Sequence, residues 1–338
     1  MHSCARLTKV AIVVDSILVS ANWWLIVIVR PKTTWFRLLF SLQGSILVKT
    51  WKRILFVTVL SCLVTYWFWV RPGQELSLTP LPFQLIAVAL GIFLGFRNNE
   101  AYDRFWEGRQ LWGRMVNVSR SFARQVTMLV DPLREHDETE LAAFRQDVIR
   151  RTIAYVHAFR HRLRDSDPYP ELEGYLTPEE LTALRGHTNV PIGILQNIGE
   201  RLRLAYRNRW ISEFHLPILE ASLTEMTSVQ GGCERIKATP IPFAYTVLIH
   251  RIVAAYCFAL PFGIYDSVHQ LTPVVTFLIA YAFFGLDAIG EEIEEPFGMD
   301  ANDLSLNAIC RTIEIDLRQI LAEDDVPSPW TAEDAVLT

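Results

Sequence analysis

The sequence has few cysteines and no arrangement of them that would mark a disulfide framework or a metal site. Of 338 residues five are cysteine, and they lie far apart, without a C-x-x-C pair and without histidines at metal-ligand spacing. We therefore interpret them as reduced packing residues: Cys4, Cys62, Cys233, Cys257 and Cys310. On the same grounds we predict no bound cofactor.

Motifs of familiar enzyme classes are also missing. The chain contains no G-x-S-x-G, H-E-x-x-H, Walker loop or G-x-G-x-x-G, and no carboxylates that combine with a Glu-x-x-His helix as in a di-iron bundle. Its net charge is −5, and neither a face nor a tail is strongly basic. The sequence therefore predicts neither an enzyme nor a nucleic-acid-binding protein.

Charge is almost absent from four windows, although 20% of the residues are charged and 51% are hydrophobic. Alone or with its flanks, each window is long enough to cross a hydrocarbon core of roughly 30 Å. The windows are residues 54–70, 81–96, 243–265 and 271–290. We predict an all-α membrane protein with four transmembrane segments. His250 and Arg251 interrupt the third window, either as a satisfied or snorkelling pair or as part of a pore or relay.

The distribution of basic residues predicts the orientation and the organisation of the chain. Basic residues precede the first window and follow the second, whereas the connections 71–80 and 266–270 carry little charge, so both termini should be cytoplasmic. We divide the chain into an apolar extension of uncertain role at 1–27, a cytosolic or interfacial segment at 28–53, membrane spans at 54–96 and 240–290, a cytosolic helical region at 97–239, cytosolic C-terminal helices at 291–322 and a flexible tail at 323–338.

The region between the two pairs of windows has the apolar spacing of helices. This spacing is clearest at 141–163 and at 211–229, and we expect a bend at Gly231 and Gly232 before the third window. Thr-Pro pairs that begin at Thr79, Thr177 and Thr239 are interpreted as helix caps, two of them at membrane entries. No window shows the alternation of a β-strand.

The second window carries two stripes side by side. One is bulky and apolar at i, i+4 and i+8, and consists of Val88, Ile92 and Phe96. The other is small, contains a G-x-x-x-G spacing that lets another helix approach closely, and consists of Ala87, Gly91 and Gly95. Together they suit a tight ring of symmetry-related helices. The alternative is a stripe that faces lipid or the core of an ordinary bundle.

Several groups of residues, in order along the chain from about 28 to 321, resemble the bacterial bestrophin homologues. They are IVRP at 28–31, IFLGFRNN at 92–99, GGCER at 231–235 with TPIPFAY at 239–245, and EPFG at 295–298. The resemblance implies a homopentameric ion channel with four membrane spans per subunit around a single axial pore. It also implies that the chain lies in the bacterial inner membrane and has permeant monovalent ions, the lipid bilayer and its own copies as partners.

The resemblance also assigns roles along the pore. It places the family's hydrophobic neck on Val88, Ile92 and Phe96, and the cytosolic aperture on Phe214, where an aliphatic residue is commoner in the family. An apolar neck gates by dewetting, because an ion must shed water against side chains that offer no ligand. For Phe214 the alternative is a core position of an amphipathic helix.

Ion selectivity would then depend on charge near the neck. Continued at helical spacing, the apolar stripe reaches Glu100, Asp103 and Glu107, which would form acidic rings in a pentamer. Glu100 can alternatively pair with Arg104 on its own helix. Bacterial members of the resembled family tend toward monovalent cations and animal members toward chloride. We therefore predict passage of Na⁺ and K⁺, with anion passage as the alternative, and keep a secondary transporter and a non-conducting scaffold as alternatives from other classes.

A calcium site is the last candidate. In calcium-gated animal relatives an acidic loop follows the Pro-Phe-Gly motif, and here only Asp300 and Asp303 match its ligand positions. Calcium sites usually need six or more oxygen ligands, so two carboxylates are a weak basis for one. For the neighbouring Glu291, Glu292, Glu294 and Glu295 we favour a solvated cytosolic elbow.

Overall fold

The structure, a computed structural model, describes residues 45–71, 79–131, 138–300 and 302–330. The predicted N-terminal extension, Cys4 and most of the segment 28–53 lie outside this part. Every regular element within the described residues is helical, which confirms the all-α prediction.

The helices of the described residues follow one another in chain order. They are α1 (Leu47–Val70), α2 (Pro80–Leu129), α3 (Glu138–Leu163), α4 (Tyr169–Leu172), α5 (Pro178–Leu184), α6 (Val190–Arg207), α7 (Leu216–Ala238), α8 (Phe243–Val268), α9 (Thr272–Glu294) and α10 (Leu306–Ile320), with a 3₁₀ turn at His269–Leu271 between α8 and α9.

Among the described residues, three helical stretches are long and apolar enough to cross a membrane: Leu47–Val70, Pro80–Leu129 and Phe243–Glu294. The third is divided at His269, whose φ of 47° ends α8. Tyr256 of α8 packs edge-on against Phe283 of α9, with ring centroids 5.3 Å apart. The last stretch is therefore two antiparallel helices in contact.

Helix α2 has 50 residues, a length of about 75 Å, and contributes to two separate hydrophobic cores. Near its start, Leu90 and Leu94 are buried in a core shared with α1, α8 and α9. Farther along, Trp112 is buried in the second core and stacks on Phe159 of α3, with ring centroids 5.0 Å apart. One unbroken helix thus links an apolar layer to a helical body.

The expected bend at Gly231 and Gly232 is wrong. Both glycines lie inside α7, which also begins and ends later than the predicted helix at 211–229. A Cβ placed on Gly232 would lie 2.9 Å from Cδ1 of Leu111 on α2. Glycine at this position therefore permits close packing of α7 on α2, a tertiary contact that local sequence does not reveal.

The cap interpretation holds for two of the three Thr-Pro pairs. At Thr177 the side chain accepts from the Glu180 N–H, and the Glu180 carboxylate accepts from the Thr177 N–H, so a capping box begins α5. Thr79 is the N-cap residue of α2, with Pro80 at the first position, although its side chain makes no cap bond. Thr239 is the C-cap of α7, and α8 begins only at Phe243, so the interpretation of Thr239 as the cap of the third window is wrong.

The cysteines that the structure describes are free thiols, as predicted. Cys233, Cys257 and Cys310 are buried, and Cys62 is exposed on α1. Burial raises the pKa of the Cys310 thiol to about 12, so this side chain packs as a neutral group.

The first residue of the predicted tail is held by the helical body. The Glu323 carboxylate lies 3.0 Å from Nη2 of Arg150 on α3 and also contacts Arg318 on α10. Beyond it, the Trp330 ring lies under the guanidinium of Arg311, 5.8 Å from the ring centroid. Residues 331–338 lie outside the described part.

A buried charge cluster fastens α4 and α10 to α3. Nδ1 of His157 lies 3.0 Å from Oε1 of Glu171, and Nε2 lies 3.7 Å from Oε2 of Glu314. The Tyr175 hydroxyl donates to Glu314 at 2.7 Å, and Nη2 of Arg318 lies 2.8 Å from the same carboxylate. Three separate segments therefore depend on these two carboxylates.

Replacement Glu314→Gln should destabilise the protein in a pH-dependent way. Burial alone would raise the pKa of Glu314, but the charge of His157, 3.7 Å away, and the hydrogen bond from Tyr175 outweigh burial and lower it to about 2, from an ordinary value of 4.5. Since the folded pKa is depressed, the carboxylate stabilises the fold above about pH 4.5, and this contribution is lost as the pH falls toward about 2.

We expect the free energy of unfolding of Glu314→Gln to fall by about 1–3 kcal/mol at pH 7, because charged partners lose their acceptor. Thermal unfolding in detergent at pH 7 and at about pH 3 measures this. The exposed Glu179→Gln on α5 is the control and should unfold like the wild type. An equal loss for Glu314→Gln at both pH values would contradict the assignment.

Candidate pore-lining site

The predicted neck residues form an uncovered apolar stripe on α2. Val88 is 65% exposed, Ile92 52% and Phe96 60%, whereas Leu90 and Leu94 between them are buried. Helix α2 therefore turns one face toward its own chain and leaves the stripe without a partner among the residues that the structure describes.

The small-residue stripe beside it is only partly in contact with the other described residues. A Cβ placed on Gly91 or Gly95 would meet none of them within 4 Å, whereas Ala87 packs against the core shared with α1 and α8. The role of Ala87, Gly91 and Gly95 in helix packing therefore stays a prediction.

Phe214 lies in the turn before α7 and is 77% exposed. The alternative that Phe214 is a core position of an amphipathic helix is therefore wrong, because α7 begins only at Leu216 and the side chain is not buried. That Phe214 faces a pore stays a prediction.

The three predicted vestibule acids have different surroundings. Glu107 is ion-paired with Arg235 of α7, so its charge is compensated in the same chain. Glu100 and Asp103 are exposed, and no cation of the described residues pairs with them. Among the described residues, Glu107 is therefore the one of the three acids that has a cationic partner.

The alternative pairing of Glu100 with Arg104 is wrong. Arg104 instead donates to backbone carbonyls, from Nη2 to Ile236 at 2.7 Å, from Nη1 to Thr239, and from Nε to Glu294 at 3.2 Å. These carbonyls lie at the C-terminal ends of α7 and α9. There, unsatisfied acceptors and the negative end of the helix dipole favour a cation. One guanidinium of α2 thus caps two helices.

One residue after the apolar stripe, Arg97 is buried, with 1% of its surface exposed. Its Nη1 lies 2.6 Å from Oδ1 of Asp287 on α9. The other oxygen of Asp287 lies 2.6 Å from Nδ1 of His250 on α8. For His250 the interpretation as a satisfied side chain is therefore confirmed, with Asp287 as partner and not the adjacent Arg251.

The acidic elbow is partly buried and partly neutralised by a lysine. Nζ of Lys49 on α1 lies 2.7 Å from Oδ2 of Asp300 and 3.5 Å from Oε2 of Glu292. Glu292 and Glu294 are buried, so the expectation of a solvated elbow is wrong for these two, while Glu291 and Glu295 are exposed.

Beside this lysine, the two candidate calcium ligands contact each other. Oδ2 of Asp303 accepts the N–H of Asp300 at 2.7 Å, and burial is the main cause that raises the pKa of Asp303 to about 6. In the described ranges, no group of three or more His, Cys, Asp or Glu side chains is arranged to hold a metal ion. The cation beside Asp300 is the ammonium group of Lys49.

A family model described as bacterial and fungal bestrophin protein matches residues 27–319. This chain belongs to the bestrophin family. The match covers every helix described above except the last residue of α10, and it confirms the resemblance drawn from the sequence.

Relatives of this bestrophin include proteins named as voltage-dependent anion channel-forming proteins. YneE of Salmonella typhi is 40% identical over 301 residues, which cover 89% of this chain and 96% of the relative. RSc3414 of Ralstonia nicotianae is 37% identical over 312 residues, which cover 92% of this chain and 99% of the relative.

Solved structures agree with the fold. The crystal structure of a bacterial bestrophin homologue from Klebsiella pneumoniae superimposes with a TM-score of 0.75 at 33% identity, covering 81% of this bestrophin and all of that chain. The neighbour supports the helical architecture and a location in a membrane.

Sequence reasoning missed the partner of Arg97 in this bestrophin. From the sequence alone, Arg97 belongs to the basic residues that follow the second window, and Asp287 stands in the fourth apolar window without an evident partner. An ionisable residue inside such a window is expensive in lipid and marks a paired or functional position. That signal points to Asp287, but the pairing itself depends on how α2 and α9 pack.

Proposed function

We propose that this bestrophin is the pore-forming subunit of an ion channel, assembled as a homopentamer around one axial pore. The observation that carries the proposal is the uncovered apolar stripe of Val88, Ile92 and Phe96 on a helix that extends about 75 Å. Copies of α2 around an axis would cover this stripe and give each subunit the same share of the pore wall.

The proposed topology has four spans per subunit in the bacterial inner membrane, with both termini in the cytoplasm. The spans are α1, the first part of α2, α8 and α9, which share the apolar core. The rest of α2 and helices α3 to α7 and α10 would form the cytosolic body. The division of the last apolar stretch at His269 into two antiparallel helices supports this count.

The proposed neck gates the pore by dewetting. Valine, isoleucine and phenylalanine offer an ion no ligand, so a narrow ring of them holds no water and blocks conduction. A small increase in radius admits water and lets ions pass. The exposed Phe214 in the turn before α7 is proposed as a second constriction, at the cytosolic exit.

For selectivity we propose passage of anions. The relatives named as anion channel-forming proteins support it, and so does the pairing of Arg235 with Glu107, which removes one of the expected acidic rings. Passage of Na⁺ and K⁺, the preference expected from the sequence, is not supported by those names. It remains the second candidate because Glu100 and Asp103 are exposed.

Reconstitution into planar bilayers distinguishes the channel from the other classes of function. Unitary current steps support the channel. Saturable ion-coupled flux without unitary steps would instead indicate a secondary transporter, and silence under all ions a scaffold.

Replacement of Ile92 and Phe96 by alanine should open the neck. Removing this apolar volume from each subunit widens the ring and favours its wetting, so we expect the open probability to rise about tenfold or more, the effect of shifting the equilibrium from closed to open by about 1.4 kcal/mol. Single-channel recording of Ile92→Ala/Phe96→Ala measures it.

Ile86→Ala is the matched control for this variant. Ile86 is also exposed on α2, but it lies about 120° around the helix from Ile92. We expect its open probability to equal that of the wild type. An unchanged open probability in the double variant would refute the assignment of these residues as the gate.

The reversal potential in asymmetric NaCl should lie nearer the chloride than the sodium equilibrium potential. Neutralising Arg235 in Arg235→Gln leaves Glu107 uncompensated, which should shift the reversal potential toward that of sodium. Lys237→Gln on the same helix is the control, because Lys237 pairs with Asp165 and not with Glu107. This variant should leave the reversal potential unchanged. A wild-type reversal potential at the sodium value would support cation passage and contradict our choice.

A further inference from the structure

The side chain next to the neck is anchored in the interior of its own subunit. Phe96 is largely exposed, whereas Arg97, the next residue, is buried between α2 and α9 with its Nη1 2.6 Å from Asp287. Consecutive residues on a helix point about 100° apart. The position of Arg97 therefore determines the direction in which Phe96 points.

The next residue of α2, Asn98, also packs against α9. Nδ2 of Asn98 donates to the carbonyl of Leu286 at 3.1 Å. A Cβ on Gly290 would lie 2.3 Å from Oδ1 of Asn98, so α9 carries a glycine where Asn98 approaches its backbone. Together, Arg97 and Asn98 fix both the rotation and the height of α2 against α9.

The Asp287 carboxylate that binds Arg97 also binds a third helix. His250 of α8 binds the second oxygen of Asp287, so one aspartate holds α2 and α8 at once. Since buried charges are strongly stabilised only while they are paired, this arrangement resists small displacements of any of the three helices.

Two of the three guanidinium nitrogens of Arg97 make no hydrogen bond to a described residue. Nε and Nη2 of Arg97 are buried and have no hydrogen-bond partner within the described ranges. The nearest further carboxylate is Glu294, whose Oε2 lies 3.8 Å from Nη2 and whose Oε1 accepts the N–H of Ile241. Asp287 is therefore the acceptor on which the position of Arg97 chiefly depends.

We propose that Arg97 and Asp287 are positioning residues that set the rotation of α2, and with it the radius of the neck in the closed channel. The inference rests on the proposed function, because it assumes that the stripe of Val88, Ile92 and Phe96 is the gate. Loosening the pair lets α2 rotate and moves Phe96 away from the constriction.

Single-channel recording of Asp287→Asn tests the proposal. The uncharged amide holds Arg97 less firmly, so the open probability should rise about tenfold, within the usual range of coupling between two sites. The unitary conductance and the reversal potential should stay those of the wild type, because neither residue lies in the pore. Equal open probabilities in assembled Asp287→Asn and wild-type channels would overturn the proposal.

A second pair of measurements separates positioning from general stability. In the Ile92→Ala/Phe96→Ala background, Asp287→Asn should change the open probability no further, since the phenylalanine that it positions is gone. Asp316→Asn is the matched control, because it breaks another ion pair to α2, with Arg120 at 2.7 Å, where α10 packs on the second half of α2. It should lower the unfolding temperature and leave the open probability unchanged. The same rise in open probability in both backgrounds would contradict positioning.

Asp287→Glu keeps the proposal testable if Asp287→Asn does not assemble. Glutamate keeps the buried charge but adds one methylene, which displaces Arg97 and should change the open probability about as strongly. A wild-type open probability in Asp287→Glu would contradict the inference while leaving the channel assignment intact. A wild type without unitary currents would instead contradict the proposed function itself.

Discussion

The structure depends on one constraint, that the backbone of α2 must stay hydrogen-bonded while its surroundings change from hydrocarbon to water. In lipid an unsatisfied N–H or C=O is very costly, and an unbroken helix satisfies all of them internally. Because α2 continues for 50 residues, the apolar layer and the helical body share one rigid element. A movement of the neck and a movement of the body are therefore mechanically connected.

Where the apolar layer meets the helical body, cationic side chains of α2 and of its neighbour α1 bind acceptors elsewhere in the chain. Arg97 neutralises Asp287, Arg104 caps the ends of α7 and α9, and Lys49 binds Asp300 and Glu292. Each cation compensates a negative charge or an unsatisfied carbonyl, and the contact between Arg97 and Asp287 does so in a fully buried place. The boundary is thus held by cations of α1 and α2 that meet acceptors distant in sequence.

Much of this architecture could be predicted from local sequence. The period of Val88, Ile92 and Phe96 predicts one face of a helix, and a charge-free window predicts a span, because both depend only on neighbours along the chain. The partner of Arg97, the burial of Glu292 and the role of Gly232 could not be predicted, since each depends on a helix distant in sequence. The same reason explains why the sequence predicts Glu107 to be a free vestibule acid although Arg235 of α7 compensates it.

The most direct measurement is a cryo-electron microscopy reconstruction of the protein in lipid nanodiscs, at a resolution that shows side chains. Our account predicts a ring of five copies in which Val88, Ile92 and Phe96 of each α2 face the axis and Arg97 faces the interior of its subunit. An assembly in which these three side chains face lipid, or in which α2 lies away from the axis, would contradict it.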